Sequence, residues 1–138
     1  MRGTSRHEEG LGPIRQAGLE AAIADPSLPG SILELVGDVA VVHWLLASAS
    51  GPPDEVAALH GQKLERILER LVDTPVRGFV YEAAGSVEGD ALRGGGEILA
   101  RAAQTWRIPV EAVAADPADP ADWVDEMVAA TRRVLAPG

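Results

Sequence analysis

Short apolar runs alternate with longer stretches of helical period along the 138 residues of this chain. Such alternation marks a parallel sheet with helices over its faces. Five runs read as strands: Met1 to Arg6, Leu19 to Ala24, Val39 to Leu46, Gly78 to Ala83 and Val110 to Ala115. The third is almost continuously apolar, which predicts a strand covered on both faces. The second and fifth close on Asp25-Pro26 and Asp116-Pro117. Proline there has no N–H for a ladder and ends the strand.

Between the strands the period changes to that of a helix. Residues 54–72 place Val56, Leu59, Leu64, Ile67, Leu68 and Leu71 on one stripe, with Lys63, Glu65 and Arg66 largely opposite. Pro52-Pro53-Asp54 starts that helix well, with proline in the first turn and an acid at the positive end of the dipole. Residues 97–106 predict a second helix ending near Trp106. Residues 120–135 predict a third, where Trp123, Val124, Met127, Val128, Thr131 and Leu135 recur at three and four. Weaker helical segments around 8–17 and 30–36 are broken by glycine and proline. No repeat and no linker interrupts the pattern, so the reading is one α/β domain over residues 1–138.

Composition narrows the function classes. Aromatic residues make up only 4%, so aliphatic side chains and alanine must fill the core. The net charge of −9 argues against a nucleic-acid partner, because phosphate binding needs a basic face. The absence of cysteine excludes disulfides, thiol catalysis and thiolate metal sites. Val39 to Ala49, the longest apolar stretch, is too short to span a bilayer, and the N-terminus lacks the apolar core of a signal peptide. The expectation is a cytoplasmic protein with no membrane partner.

Few residues suggest chemistry by themselves. Gly94-Gly95-Gly96 precedes a helical stretch, but polar residues 86–93 separate it from the nearest strand. A flexible surface loop therefore fits better than a phosphate cradle. His7, His43 and His60 share no ligand spacing, and His43 reads as a satisfied core histidine. Asp116, Asp119, Asp122 and Asp125 read as acids at a helix start, not as a metal site.

Several segments taken in order resemble a known family. They are Arg2-Gly-Thr-Ser-Arg6, then Ala17 to Pro26, then Gly37-Asp38-Val39-Ala40-Val41-Val42-His43-Trp44-Leu45, then Val76 to Val87. The chain resembles atypical and extended short-chain dehydrogenase/reductases from their second strand onward. The resemblance implies a Rossmann-type sheet of about five parallel strands with helices on both faces, lacking the first βα unit. It implies NAD(P) as cofactor. Arg6 then falls where a cation stands beside the adenosine ribose, which favours NADP. Asp25 matches an aspartate at the adenine, and Leu45 and Leu46 match the backbone on the nicotinamide side. A homodimer through helices 54–72 and 97–106 is implied too.

The departures bear on activity. The glycine-rich G-x-G-x-x-G turn is missing, Ala83-Ala84 stands where the family has its catalytic serine, and Tyr81 and Lys63 are the only tyrosine and lysine. No tyrosine–lysine pair can form in the family's arrangement, so no catalytic residue is assigned and standard reductase activity is not expected. The alternative is a non-enzymatic binding or regulatory module that keeps the fold and has lost the cofactor chemistry. A receiver-like domain fits less well, since Leu46-Ala47-Ser48 ends the third strand where a receiver needs aspartate. The family's strand order 3-2-1-4-5-6 leaves the central position unfilled here, which predicts that Met1 is not the natural start of the complete protein.

Overall fold

The computed structural model describes residues 1–136 as a mixed α/β protein whose strands are all parallel. In place of one five-stranded sheet there are two sheets. β1 (Arg2–Ser5) pairs with β2 (Glu20–Ile23). β3 (Val41–Trp44), β4 (Gly78–Glu82) and β5 (Val110–Val113) form the other, in that order. The helices are α1 (Leu11–Gln16), α2 (Pro29–Leu33), α3 (Pro53–Leu59), α4 (Gln62–Leu71), α5 (Gly89–Trp106) and α6 (Pro120–Leu135). Among the described residues no helix is long and apolar enough to cross a membrane.

β4 is the strand buried at every position, where the sequence pattern pointed to the run from Val39 to Leu46. The reason is placement: β4 has a neighbour on each side, while β3 is hydrogen-bonded on one side only. His43 is accordingly an exposed residue and not a core one, with Nε2 lying 2.8 Å from Thr131 Oγ1 on α6.

Alternation along β4 builds two cores. Phe79 and Tyr81 face Leu64, Ile67, Leu68 and Leu71 of α4 and Leu99 of α5, with Trp44 closing the cluster. Each fully buried aliphatic side chain there stabilises the fold by about 1.5–3 kcal/mol. On the other face Val80 and Val113 meet Met127, Ala130 and Val134 of α6. The stripe expected on this helix is thus rotated, leaving Val124 and Val128 50% and 43% exposed.

The helix expected over residues 54–72 is two helices. The carbonyl of Leu59 accepts from Trp44 Nε1 at 3.0 Å, and the turn breaks at His60 and Gly61. His60 leaves the helical path to bury its ring against β4. Conversely, α5 is longer than the 97–106 segment and absorbs the triple glycine, which is helix and not loop. Gly95 explains why: a side chain there would overlap the Tyr81 hydroxyl, so glycine lets α5 lie close on the sheet.

Asp116 and Asp119 precede α6, and Asp122 and Asp125 lie within it, all four exposed. Asp119 accepts from the Asp122 N–H at 3.3 Å as an N-cap, and Asp116 accepts from the Ala118 N–H at 2.9 Å.

At the start of β1, Arg2 donates to the Leu35 carbonyl at 2.6 Å and to Asp38 at 3.4 Å, just ahead of β3. Beyond the end of β2, Asp25 feels the charge of Lys63 at the start of α4.

Candidate functional site

The carboxyl ends of the strands carry two groupings of polar residues, in the region where ligands settle on open α/β sheets. The first lies past β1 and β2. Ser5 pairs with Ile23 in parallel register, so Arg6 and Asp25 emerge beside each other. Both Arg6 and Lys63 act electrostatically on the Asp25 carboxylate. Burial pushes the Asp25 pKa up, but the Ser27 side chain and backbone outweigh it, and the two cations add to them, so it lies below its ordinary value. The Ser27 bonds are short: Asp25 Oδ1 accepts from Ser27 Oγ at 2.7 Å and from the Ser27 N–H at 2.9 Å. Asp25 is therefore the pivot of a tight turn as well as part of a charged cluster.

Lys63 is the residue sequence reasoning missed here. The periodicity puts it on the polar side of a long helix, and only the break at Gly61 starts a new helix with Lys63 in its first turn. No periodicity signals that.

The second grouping lies past β3 and β4. His60 is 1% exposed; its Nε2 donates to the Leu46 carbonyl at 2.9 Å. A carbonyl only accepts, so Nδ1 is left to accept from the Tyr81 hydroxyl, 2.6 Å away. Desolvation holds the imidazole below its ordinary pKa and pushes the Tyr81 hydroxyl up to about 12. Glu82 is buried next to them. One of its oxygens accepts from the Ala47 N–H at 3.0 Å, the other from Trp123 Nε1 at 2.8 Å. Every polar atom of these side chains has a partner, and together they fix the loop after β3.

Above that loop lies an open cleft of about 310 Å³, lined by Ser50, Gly51, Val56, Ser86, Glu88 and Ala91 among others. Next to its lining residue Ser86, Gly85 packs against the loop after β3, where a side chain would overlap the Ala47 carbonyl. The cleft offers two hydroxyls and one carboxylate, and no cation. Leu45 is 44% exposed at the end of β3, while Leu46 packs on the core and gives its carbonyl to His60. The structure thus brings Arg6 and Asp25 together, with Leu45 and Leu46 at the end of a strand in the other sheet. Ala83 and Ala84 are half-buried and provide no nucleophile or acid. Among the described residues no group of three or more His, Cys, Asp or Glu could hold a metal.

Compared with known protein families and with curated proteins, the chain matches none.

Proposed function

We propose that this chain is a Rossmann-type, NAD(P)-binding-like protein related to the short-chain dehydrogenase/reductases, which retains the adenosine side of a cofactor site and no reductase chemistry. The observation that carries this reading is the grouping of Arg6, Asp25 and Lys63 at the carboxyl ends of β1 and β2. Two cations beside a carboxylate suit a phosphorylated ribose, with the carboxylate accepting from a sugar hydroxyl or the adenine amine. Strand order supports it too. Taken together, β2-β1 and β3-β4-β5 match the 3-2 and 4-5-6 parts of the doubly wound order.

The position of the one tyrosine fits the loss of reductase chemistry. Tyr81 is fully buried and its hydroxyl is committed to His60, so it cannot protonate a substrate carbonyl. This favours the non-enzymatic alternative, a binding or regulatory module in which nucleotide acts as a ligand. The same reading places the protein in the cytoplasm and a homodimer contact on α4 and α5, where Trp106 is 44% exposed beside a groove of about 290 Å³.

Thermal melts with NADP, NAD and neither decide the matter, since a ligand that binds only the native state raises the melting point. NADP should stabilise more than NAD, and Arg6→Ala and Lys63→Ala should each reduce that difference. Equal melts with and without either nucleotide would overturn cofactor binding.

A further inference from the structure

α3 is a helix of seven residues, none of them buried. The element it packs against most is α4, its own continuation. A glycine stands on either side of it. Gly51, at a φ of +141°, precedes Pro52, and Gly61 separates α3 from α4. Glu65 donates to the Gly61 carbonyl at 3.0 Å, so the first turn of α4 is complete without α3.

The attachments of α3 to the rest of the fold gather at its end. Val56 packs half-buried on Ala47, Val87 and Leu92, and the Leu59 carbonyl accepts from the Trp44 indole. His60 comes next, with its ring sealed between the Leu46 carbonyl and the Tyr81 hydroxyl at 2.9 Å and 2.6 Å. One imidazole thus ties the end of α3 both to the loop after β3 and to β4.

These two bonds hold for one protonation state. A proton on Nδ1 sets a donor against a hydroxyl that already donates. Tyr81 would then need another acceptor inside the core, where α5 presses Gly95 close to the hydroxyl. Glu82 is the charge that acts on the ring, and it favours the imidazolium, but burial outweighs it and keeps the pKa below 6.5. Other charged groups on the surrounding elements are engaged elsewhere or exposed. Lys63 of α4 acts on Asp25, Asp90 and Arg93 of α5 pair with each other, and His43 of β3 meets Thr131 of α6. Asp54 and Glu55 of α3, and Glu88 before α5, are exposed.

We propose that residues 52–60 form a lid on the cleft of about 310 Å³, hinged at Gly51 and Gly61 and latched by the His60 ring, and that protonation of this ring releases it. The lid supplies Pro53, Val56 and Ala57 to the cleft lining, facing Ser86, Glu88 and Ala91. Release therefore removes one wall of the cleft and lets water reach His60 and Tyr81. A helix this short does not persist alone in water, so the released lid melts. The freed imidazole has its ordinary pKa of 6.5, so each pH unit below that value favours opening about tenfold until the latched ring itself takes a proton. Nucleotide binding plays no part in this inference.

The test is residue-resolved amide exchange of the full chain from about pH 8 to pH 5, corrected for intrinsic rates, with the ring nitrogen shifts of His60 read alongside. At the upper end Nε2 should carry the proton and Nδ1 none. Below 6.5, protection of the Val56, His60 and Gly61 amides and of the Trp44 indole N–H should fall about tenfold per pH unit. The buried Leu68 of α4 and Leu99 of α5 should keep theirs. His60→Gln offers Leu46 a donor and Tyr81 an acceptor but takes no proton, so its lid protection should stay within about twofold across the range. A lid already unprotected at the upper end overturns the proposal, as does loss of protection at Leu68 and Leu99 in step with the lid. A steep fall that persists in His60→Gln overturns it too. The unmodified chain is decisive even where His60→Gln fails to fold: a lid whose protection does not bend near 6.5, or a His60 ring protonated on Nδ1 at the upper end, refutes the latch.

Discussion

Gly95 of α5 lies so close to the Tyr81 ring that a methyl group at position 95 would overlap the hydroxyl oxygen and Cζ. The helix can approach β4 only because that position is bare. Its neighbours Gly94 and Gly96 are different, since a side chain there would meet nothing within 4 Å. Gly95→Ala should therefore cost about 1–3 kcal/mol by overpacking. Gly94→Ala and Gly96→Ala should each stabilise by up to about 1 kcal/mol through helix propensity. Urea unfolding of the three variants checks this, and equal effects at all three positions would contradict the close approach.

Leu68 is 1% exposed at the centre of the α4 stripe. Leu68→Ala should cost about 2–5 kcal/mol, whereas Val128→Ala on bare α6 should cost less than about 0.5 kcal/mol. Chemical denaturation of both variants provides the comparison. A loss below about 0.5 kcal/mol for Leu68→Ala would place the stripe in solvent.

His60 and Tyr81 make stability depend on pH in two windows. The folded imidazole lies below its ordinary 6.5, so as pH falls through 6.5 the unfolded chain gains a proton that the folded chain refuses, and stability drops. The folded Tyr81 is pushed up to about 12, so stability is whole below 10.0 and drains away as pH rises from there toward 12. Tyr81→Phe removes that alkaline contribution but leaves His60 Nδ1 without a donor, at a cost of about 1–3 kcal/mol near neutrality. Urea midpoints from about pH 5 to 11 in both proteins read the two effects. An alkaline slope unchanged in Tyr81→Phe would sink the assignment.

With Ala83 and Ala84 after β4 and Tyr81 sealed in the core, the purified chain should not oxidise NADPH in the presence of carbonyl substrates. The fall in NADPH absorbance over an aldehyde and ketone panel is the measurement. Carbonyl-dependent turnover would require an acid that the described residues do not offer.

The apolar runs disclosed where strands lie, because period-two and continuous aliphatic stretches report burial directly. The number of sheets was not legible, since pairing depends on which strands are neighbours and no local pattern records that. The single helix expected over 54–72 failed for a similar reason. What breaks it is the Trp44 indole reaching the Leu59 carbonyl and the His60 ring reaching β4, both long-range contacts. Glycine at 94–96 misled in the other direction: locally it argues for a loop, and tertiary contact with Tyr81 overrides propensity. Of the candidate site, Arg6 and Asp25 were legible as charges at strand ends. Lys63 and the His60–Tyr81–Glu82 cluster were not, because they depend on that same break and on which side of β4 each residue faces.

Glu82 gives one oxygen to the loop after β3 and the other to the Trp123 indole on α6. An amide of the same length has a single acceptor oxygen, so Glu82→Gln must abandon one of the two donors, and aspartate is a carbon too short to span both. Substitution at position 82 is therefore constrained by position 123. Descendants of this chain should keep the acid for as long as they keep the tryptophan, and should drift at 82 only after 123 has lost its N–H.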